Sequence, residues 1–301
     1  MGAFQGMGQG VEFGLHQPPG GARQQPGDGF RRGMGPVGGA ECVVQVNVAE
    51  GGQKTNVIPD TVDVEVDIRT VPGTSYDDVK AMLDDALGDL APDAGWLSEE
   101  TADETARAEQ RRCWIVDPID GTRDFLRGRD DWCVSVALVE EGEPVLAALE
   151  APARGQTWLA RKGEGASLDG KALSCSDCAQ LAGARVPIHD LPKTDRDLAK
   201  VAQPNSIALR VAMVAAGEAD MVLTMRWGAE WDLAAAALIA SEAGATVTAA
   251  TGEPYRFNKP DPRIFGVLAT APALHGPALE RWGGRAREIA NKAARPSGFV
   301  N

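Results

Sequence analysis

The chain has 301 residues, with 30 basic and 43 acidic side chains and a net charge of −13. That length fits one large domain or two small ones. With no basic stripe along the sequence, the charge argues against binding a nucleic-acid polymer, whose phosphates must be neutralised. No run of roughly 18 consecutive apolar residues occurs, so no membrane-spanning helix is expected, and a cytoplasmic protein is the default expectation.

Residues 1–40 hold 13 of the 35 glycines, interleaved with Gln, Pro and Arg. Such a segment buries little apolar surface and is expected to be a disordered tail. Val44, Val46 and Val48 then alternate with Gln45 and Asn47, and Val62, Val64, Val66 and Ile68 alternate with Asp63, Glu65 and Asp67. The period of two predicts two strands, each with one wet face. Pro72-Gly73 breaks the pattern, and Thr74 or Ser75 caps a helix over 75–90. Val79, Met82, Leu83, Ala86, Leu87 and Leu90 fall at helical spacing there.

From Gly95 strands and helices alternate. Residues 113–116 and 134–139 read as buried strands, and 145–149 and 157–160 as further strands. Glu141-Gly142 and Arg154-Gly155 supply hairpin turns. Cys175-Ser-Asp-Cys178, with only His189 nearby, is weak ground for a zinc or redox site, and five cysteines without repeating spacing fit a reducing compartment. Residues 207–216 and 233–243 read as Ala-rich helices, and 264–269 as a last apolar strand. Mixed α/β layers follow, with loops at strand ends available for chemistry.

The densest candidate site is Trp114-Ile-Val-Asp-Pro-Ile-Asp-Gly-Thr122. An apolar strand running into Asp-Pro-x-Asp-Gly-Thr sets Asp117 and Asp120 on one turn, with the Ile119 carbonyl between them. Converging oxygens of this kind suit a hard divalent cation such as Mg²⁺. Gly121 permits close backbone approach, and the Gly121 and Thr122 amides suit a phosphate. The plainer reading is that Asp-Pro and Asp-Gly are turn dipeptides. Taken alone, Asp232 reads as an N-cap before an apolar helix, and Glu99-Glu100 as a solvated loop.

Two resemblances organise these segments. Val46-Asn-Val-Ala-Glu-Gly-Gly-Gln-Lys-Thr-Asn-Val-Ile-Pro-Asp60 and Val64-Glu-Val-Asp-Ile-Arg-Thr-Val-Pro-Gly73 resemble the dimerisation domain of aminoacylase and carboxypeptidase-type zinc metallopeptidases, over about residues 41–91. The chain's histidines, His16, His189 and His275, include no His-x-Asp pair, so that family's active site is not implied. Leu97-Ser-Glu-Glu100, the 114–122 segment and Trp231-Asp-Leu-Ala-Ala235, in this order, resemble the inositol monophosphatase superfamily of metal-dependent phosphatases, from about residue 92 to 301. Gly163-Glu-Gly-Ala166, Ser206-Ile-Ala-Leu-Arg210 and Glu242-Ala-Gly244 belong to the same likeness.

The second resemblance implies an α/β protein with a layered α-β-α-β-α sugar-phosphatase fold. It is N-terminally truncated here and preceded by the β-β-α segment and the tail. It implies that Glu99, Asp117, the Ile119 carbonyl, Asp120 and Asp232 bind two or three Mg²⁺ ions, and that Thr122 with Glu99 orients the attacking water. By position, Thr74-x-x-Asp77 matches the family's pattern for a third metal, which gives Asp77 a catalytic role. Gly121, Thr122, Arg123 and Ser206 are the implied substrate contacts.

Asp120-Gly-Thr-Arg-Asp-Phe-Leu126 and Tyr255-Arg-Phe-Asn-Lys-Pro260 look most like the CysQ-type branch, which removes the 3′-phosphate of adenosine 3′,5′-bisphosphate. Arg123, Arg127 and Lys259 are candidates for a second phosphate. Met225 stands where inositol-specific members carry a glutamate. The alternatives are an inositol monophosphatase and a catalytically dead hybrid that acts only as a dimerising module. The dimerising-module alternative implies a homodimer through the 41–68 strands. Residues 41–91 hold 11 acidic and 3 basic side chains, so most of the negative charge lies outside the phosphatase-like part.

Overall fold

The computed structural model describes residues 10–12, 43–50, 61–69, 87, 91–99 and 105–294. The chain divides into two units, residues 1–86 and 87–301. In the first, β1 (Gly10–Glu12), β2 (Val43–Glu50) and β3 (Thr61–Arg69) form a sheet in the order β1-β3-β2. The antiparallel β2–β3 register sets Val44 opposite Ile68, Val46 opposite Val66 and Val48 opposite Val64, so the two alternations coincide on one face. β1 pairs parallel to β3, which departs from the expected disorder at these three positions; a strand edge offers unpaired N–H and C=O groups to any nearby extended segment. The helix expected over 75–90, with Asp77, lies outside the described residues apart from Leu87, which is helical and fully buried.

The second unit opens with a seven-stranded sheet made of β4 (Gly95–Ser98), β5 (Arg112–Asp120), β6 (Cys133–Glu140), β7 (Glu143–Ala151), β8 (Gln156–Arg161), β9 (Gly165–Leu168) and β10 (Lys171–Ala172). Its order is β10-β9-β8-β7-β6-β5-β4. From β5 onward each strand pairs antiparallel with the next, whereas β4 runs parallel to β5. The β6–β7 turn has Glu141 and Gly142 both at positive φ, 52° and 83°, the backbone whose twist suits a two-residue hairpin.

A short helix α1 (Thr122–Phe125) follows β5. β11 (Arg185–Pro187) and β12 (Ala199–Val201) make a parallel pair. Then come α2 (Ile207–Ala215), β13 (Met221–Ala229), α3 (Ala234–Glu242), β14 (Thr246–Thr248), β15 (Arg263–Thr270) and α4 (Pro272–Ala294). The three strands form a second sheet in the order β13-β15-β14.

Helices α2 and α3 share one core with both sheets. Leu209, Val211, Ala212 and Val214 of α2 are buried with Ala137, Ala147 and Leu149 of the large sheet and Val267 and Ala269 of the small one. All seven residues from Ala234 to Ala240 are buried. A helix apolar on every side belongs in the interior, and its alanines let neighbouring elements approach closely. On the outer face of the small sheet, α4 lays Leu274, Ala278, Trp282 and Ala286 inward at a spacing of four. The described layers are thus sheet, helix pair, sheet and helix, in agreement with the layered α/β expectation.

β13 and α4 were not foreseen. β13 carries a register shift between Thr224 and Trp227 that breaks its alternation. α4 contains Pro277 and Gly283-Gly284, residues that read as helix breakers until the buried stripe overrides them.

Candidate active site

β5 is buried from Cys113 to Asp120, so its last carboxylates sit in the interior of the sheet. Asp117 pairs with Ser135 and Asp120 with Cys133, leaving one extra residue on β5 across this step. The bulge falls at Pro118-Ile119, where proline's missing N–H costs no ladder bond, and it swings both carboxylates toward one point. The Ile119 N–H donates to Asp117 Oδ1 at 2.9 Å, and Thr122 Oγ1 donates to the Ile119 carbonyl at 3.1 Å. Gly121 closes the turn at φ 100°, and a Cβ there would stand 2.9 Å from the Asp131 carbonyl oxygen.

Asp232 reaches the same point from the other side of the core. It is not the N-cap of α3: Leu233 holds that position and no side chain caps the helix. Instead its Oδ2 accepts the Ala229 N–H at 2.8 Å, at the end of β13. The glycine at 228 leaves room for this, since a Cβ there would lie 2.9 Å from Asp232 Oδ2. One carboxylate oxygen from each of Asp117, Asp120 and Asp232 lies within 4.8 Å of the others.

The arrangement is electrostatically costly. Burial, followed by the charges of Asp120, Glu99 and Asp232, pushes the Asp117 carboxyl well above its ordinary range. Asp120 is also pushed up, first by burial and then by Asp232, against donors that favour its charge. Those donors are Ser206 Oγ at 2.5 Å and the Ala208 N–H at 2.7 Å, at the start of α2. Burial raises Asp232 as well. Among the described residues, no lysine or arginine forms an ion pair with any of the three. Three mutually repelling oxygen donors with no lysine or arginine in ion-pair contact are a donor set that fits a hard divalent metal ion.

Glu99 follows β4, whose register pairs Ser98 with Val116, so Glu99 comes level with Asp117. It is exposed and stands outside the trio, though its charge reaches Asp117. Glu100 and Asp77 lie outside the described residues. Ser206, expected at the substrate, is fully buried instead. Its hydroxyl caps α2 by accepting the Leu209 N–H at 2.9 Å while donating to Asp120, so it holds a carboxylate in place and does not line the cavity.

Lys259, a candidate for a second phosphate, is likewise occupied. Its ammonium sits 3.3 Å from the fully buried Glu230 and donates to the Arg263 carbonyl. Glu230 also accepts the Asn258 and Lys259 N–H groups, and Asn258 bonds in turn with Arg107. This chain of bonds ties the segment after Glu99 to the residue two places before Asp232.

Above the trio opens a cavity of about 470 Å³. Asp120, Gly121, Thr122, Arg123 and Asp232 line it, joined by Arg210 and by Arg226 and Trp227 of β13. Arg226 and Trp227 leave no periodic signal in the sequence because the β13 bulge that presents them breaks the alternation, while Arg210 sits on the apolar helix α2.

A layered α/β domain with an oxygen-only acidic trio under an arginine-walled cavity has the make-up of a metal-dependent phosphatase. Residues 70–283 match the inositol monophosphatase family, and residues 38–95 match the peptidase dimerisation domain, so the two matches overlap. The chain belongs to the inositol monophosphatase family, whose enzymes are metal-dependent phosphatases, generally using Mg²⁺, that act on small phosphorylated substrates.

Among relatives, the chain is 32% identical over 184 residues to the fructose-1,6-bisphosphatase/inositol-1-monophosphatase of Thermotoga maritima, covering 58% of this chain and 70% of that protein. It is 33% identical over 201 residues to the 3′-phosphoadenosine 5′-phosphate phosphatase of Mycobacterium bovis, covering 62% and 73%. The crystal structure of inositol monophosphate-bound inositol monophosphatase II from Staphylococcus aureus superposes with a TM-score of 0.64 at 21% identity, covering 74% of this chain and 91% of that one. That last likeness speaks for the fold. Among the described residues, no helix is long and apolar enough to cross a membrane.

Proposed function

We propose that the chain is a Mg²⁺-dependent phosphomonoesterase whose substrate is adenosine 3′,5′-bisphosphate, from which it removes the 3′-phosphate. The observation that carries this reading is the convergence of Asp117, Asp120 and Asp232 beneath the cavity that Thr122, Arg123 and Arg226 help to wall. The relative of matching activity and the motifs at 120–126 and 255–260 support the substrate. Met225 argues against inositol: it packs into an apolar cluster with Leu223 and Phe265, in place of the acid that would hold a sugar hydroxyl.

Glu99, Asp117, the Ile119 carbonyl, Asp120 and Asp232 would hold the metal. When bound, Mg²⁺ neutralises phosphate charge and lowers the pKa of a coordinated water, which eases in-line displacement. The protein's own groups supply position. Thr122 Oγ1, fixed by its bond to the Ile119 carbonyl, and the Glu99 carboxylate orient the attacking water, and Glu99 takes up its proton. Arg123 faces the phosphoryl oxygens from the start of α1. Ser206 and the α2 N-terminus aim Asp120 and favour its ionised form against the burial that raises its pKa.

Phosphate release from adenosine 3′,5′-bisphosphate in Mg²⁺ is the test, with loss in EDTA and in Asp117→Asn as the expected result. Turnover of inositol 1-phosphate but not of the bisphosphate would give the site to the inositol branch, and turnover of neither would leave a dead hybrid.

The match of residues 38–95 and the β1-β3-β2 order favour a second role for the first unit. With β2 at the sheet's edge, a second copy pairs there and the chain is a homodimer. Sedimentation of the full chain against a chain lacking residues 41–73 tests this. Identical monomers in both would refute it.

A further inference from the structure

Among the described residues two large apolar side chains are exposed, Leu126 at 77% and Trp227 at 46%, and both line the cavity over the acidic trio. Scattered exposed apolar residues are ordinary, but two on the walls of one cavity mark a place where something apolar is bound. Trp227 is held rather than loose. Its ring meets Phe265 edge-on, with centroids 5.4 Å apart at 66°, and the Arg263 guanidinium lies 5.5 Å from its centroid.

The backbone is shaped to present it. Thr224 pairs with Val267 and Trp227 with Phe265, so two residues of β13, Met225 and Arg226, stand against Gly266 alone. A Cβ on Gly266 would lie 2.5 Å from the Thr224 carbonyl oxygen and 2.7 Å from Ala250 Cβ, and its φ of 63° suits glycine. The bulge is therefore built in, and it turns the exposed Arg226 and Trp227 toward the cavity together.

Arg226 is close enough to Arg210 to add to the effect of burial in lowering that guanidinium's pKa, while Asp120 opposes both. Arg210 is spoken for by the Pro204 and Asn205 carbonyls, at 2.9 and 2.7 Å. Arg226, by contrast, faces the cavity with its charge available to an anion. A rigid aromatic face beside an arginine is the recognition chemistry of a nucleotide, base on ring and phosphate on guanidinium. A lone sugar phosphate with hydroxyls all round would find no hydrogen-bond partner on Leu126.

We propose that Trp227, with Leu126 lining the same cavity, seats the base of a nucleoside bisphosphate and that Arg226 pairs with the phosphate that is not removed. This deepens the reading of the cavity as a nucleoside-bisphosphate phosphatase site and rests on it.

Adenosine 5′-monophosphate carries the base and the retained phosphate but lacks the scissile one, so calorimetric titration of the full chain in EDTA reads this subsite without turnover. The wild-type chain binds it. Trp227→Leu weakens binding about tenfold, and Trp227→Phe keeps it within about threefold of wild type, because the aromatic face and not apolar bulk is what counts. Arg226→Met weakens it about tenfold and removes the preference for the monophosphate over adenosine. In Mg²⁺, the ratio of kcat/KM for adenosine 3′,5′-bisphosphate over 2-glycerophosphate falls about tenfold in Trp227→Leu.

Equal affinities in wild type, Trp227→Leu and Arg226→Met overturn the subsite, and the functional reading survives if the wild type still hydrolyses the bisphosphate. Binding that depends on Trp227 without bisphosphate hydrolysis upholds the subsite and refutes the functional reading. Neither binding nor hydrolysis refutes both. A dimer that Trp227→Leu dissociates, with nucleotide affinity unchanged, would assign the rim to a second copy and overturn the proposal.

Discussion

Gly228→Ala perturbs the acidic trio without removing any of its members. The added Cβ would stand 2.9 Å from Asp232 Oδ2, where ordinary contact begins near 3.4 Å, so the carboxylate must retreat by about 0.5 Å. Gly228 does not occupy the left-handed backbone region, so alanine meets no conformational strain there. The Ala229 N–H bond of 2.8 Å that aims the carboxylate is strained by the same movement. Metal–oxygen distances tolerate roughly ±0.2 Å, and disturbing a group that orients a ligand typically costs about 10–100-fold in metal affinity. The Mg²⁺ concentration for half-maximal phosphate release is therefore expected to rise at least about tenfold, or about 1.4 kcal/mol. Urea stability in EDTA should change by less than about 1 kcal/mol. A Mg²⁺ dependence identical to wild type, in a variant that folds normally, would show that Asp232 has no part in holding the metal.

Asp117→Asn should lower turnover by about 10³-fold or more and at the same time raise the stability of the metal-free protein by about 1–2 kcal/mol. It removes one buried like charge, while Oδ1 still accepts the Ile119 N–H. A variant less stable than wild type in EDTA would contradict the repulsion argument.

Away from the site, Asp220 is buried and accepts from Arg185 and Ser176. Burial alone would raise its pKa, but these bonds hold it down at about 2. Its folded pKa lies below the unfolded value of about 3.9, so its contribution of about 2 kcal/mol is complete above pH 4 and is lost as pH falls toward 2. The stability deficit of Asp220→Asn should narrow over that window, and a deficit independent of pH would refute the assignment.

Asn258, at φ 58°, bonds with Arg107 at 2.9 Å and with its carbonyl at 3.1 Å, so Asn258→Ala should cost about 2 kcal/mol in urea unfolding. A loss under about 0.5 kcal/mol would mean that this tie between the Glu99 side and Glu230 is idle.

Much of the second unit was legible because its central elements are buried on both sides. β5 reads as an unbroken apolar run until Asp117, and α2 and α3 as Ala-rich stretches of helical length, because sandwiched elements have no polar face to confuse the pattern. The trio was legible through motif spacing: Asp117 and Asp120 share one bulge, and Asp232 came from the resemblance against its own local reading as a cap.

What stayed hidden depends on tertiary contact. Whether the Ser206 hydroxyl faces a ligand or a neighbouring carboxylate is decided by where α2 meets β5, and no local pattern carries that. The occupation of Lys259 by Glu230 joins residues 29 apart. The bulge in β13 exists because Gly266 on another strand makes space for it, and α4 forms across Pro277 because a sheet lies beneath its buried stripe.

The most direct test of the central claim is phosphate release from adenosine 3′,5′-bisphosphate by the full chain as Mg²⁺ is raised from zero, run beside Asp117→Asn. The account predicts saturable, EDTA-sensitive release by the wild type and at least about 10³-fold less by the variant. Equal rates in the two proteins, or a wild-type rate indifferent to Mg²⁺, would contradict it.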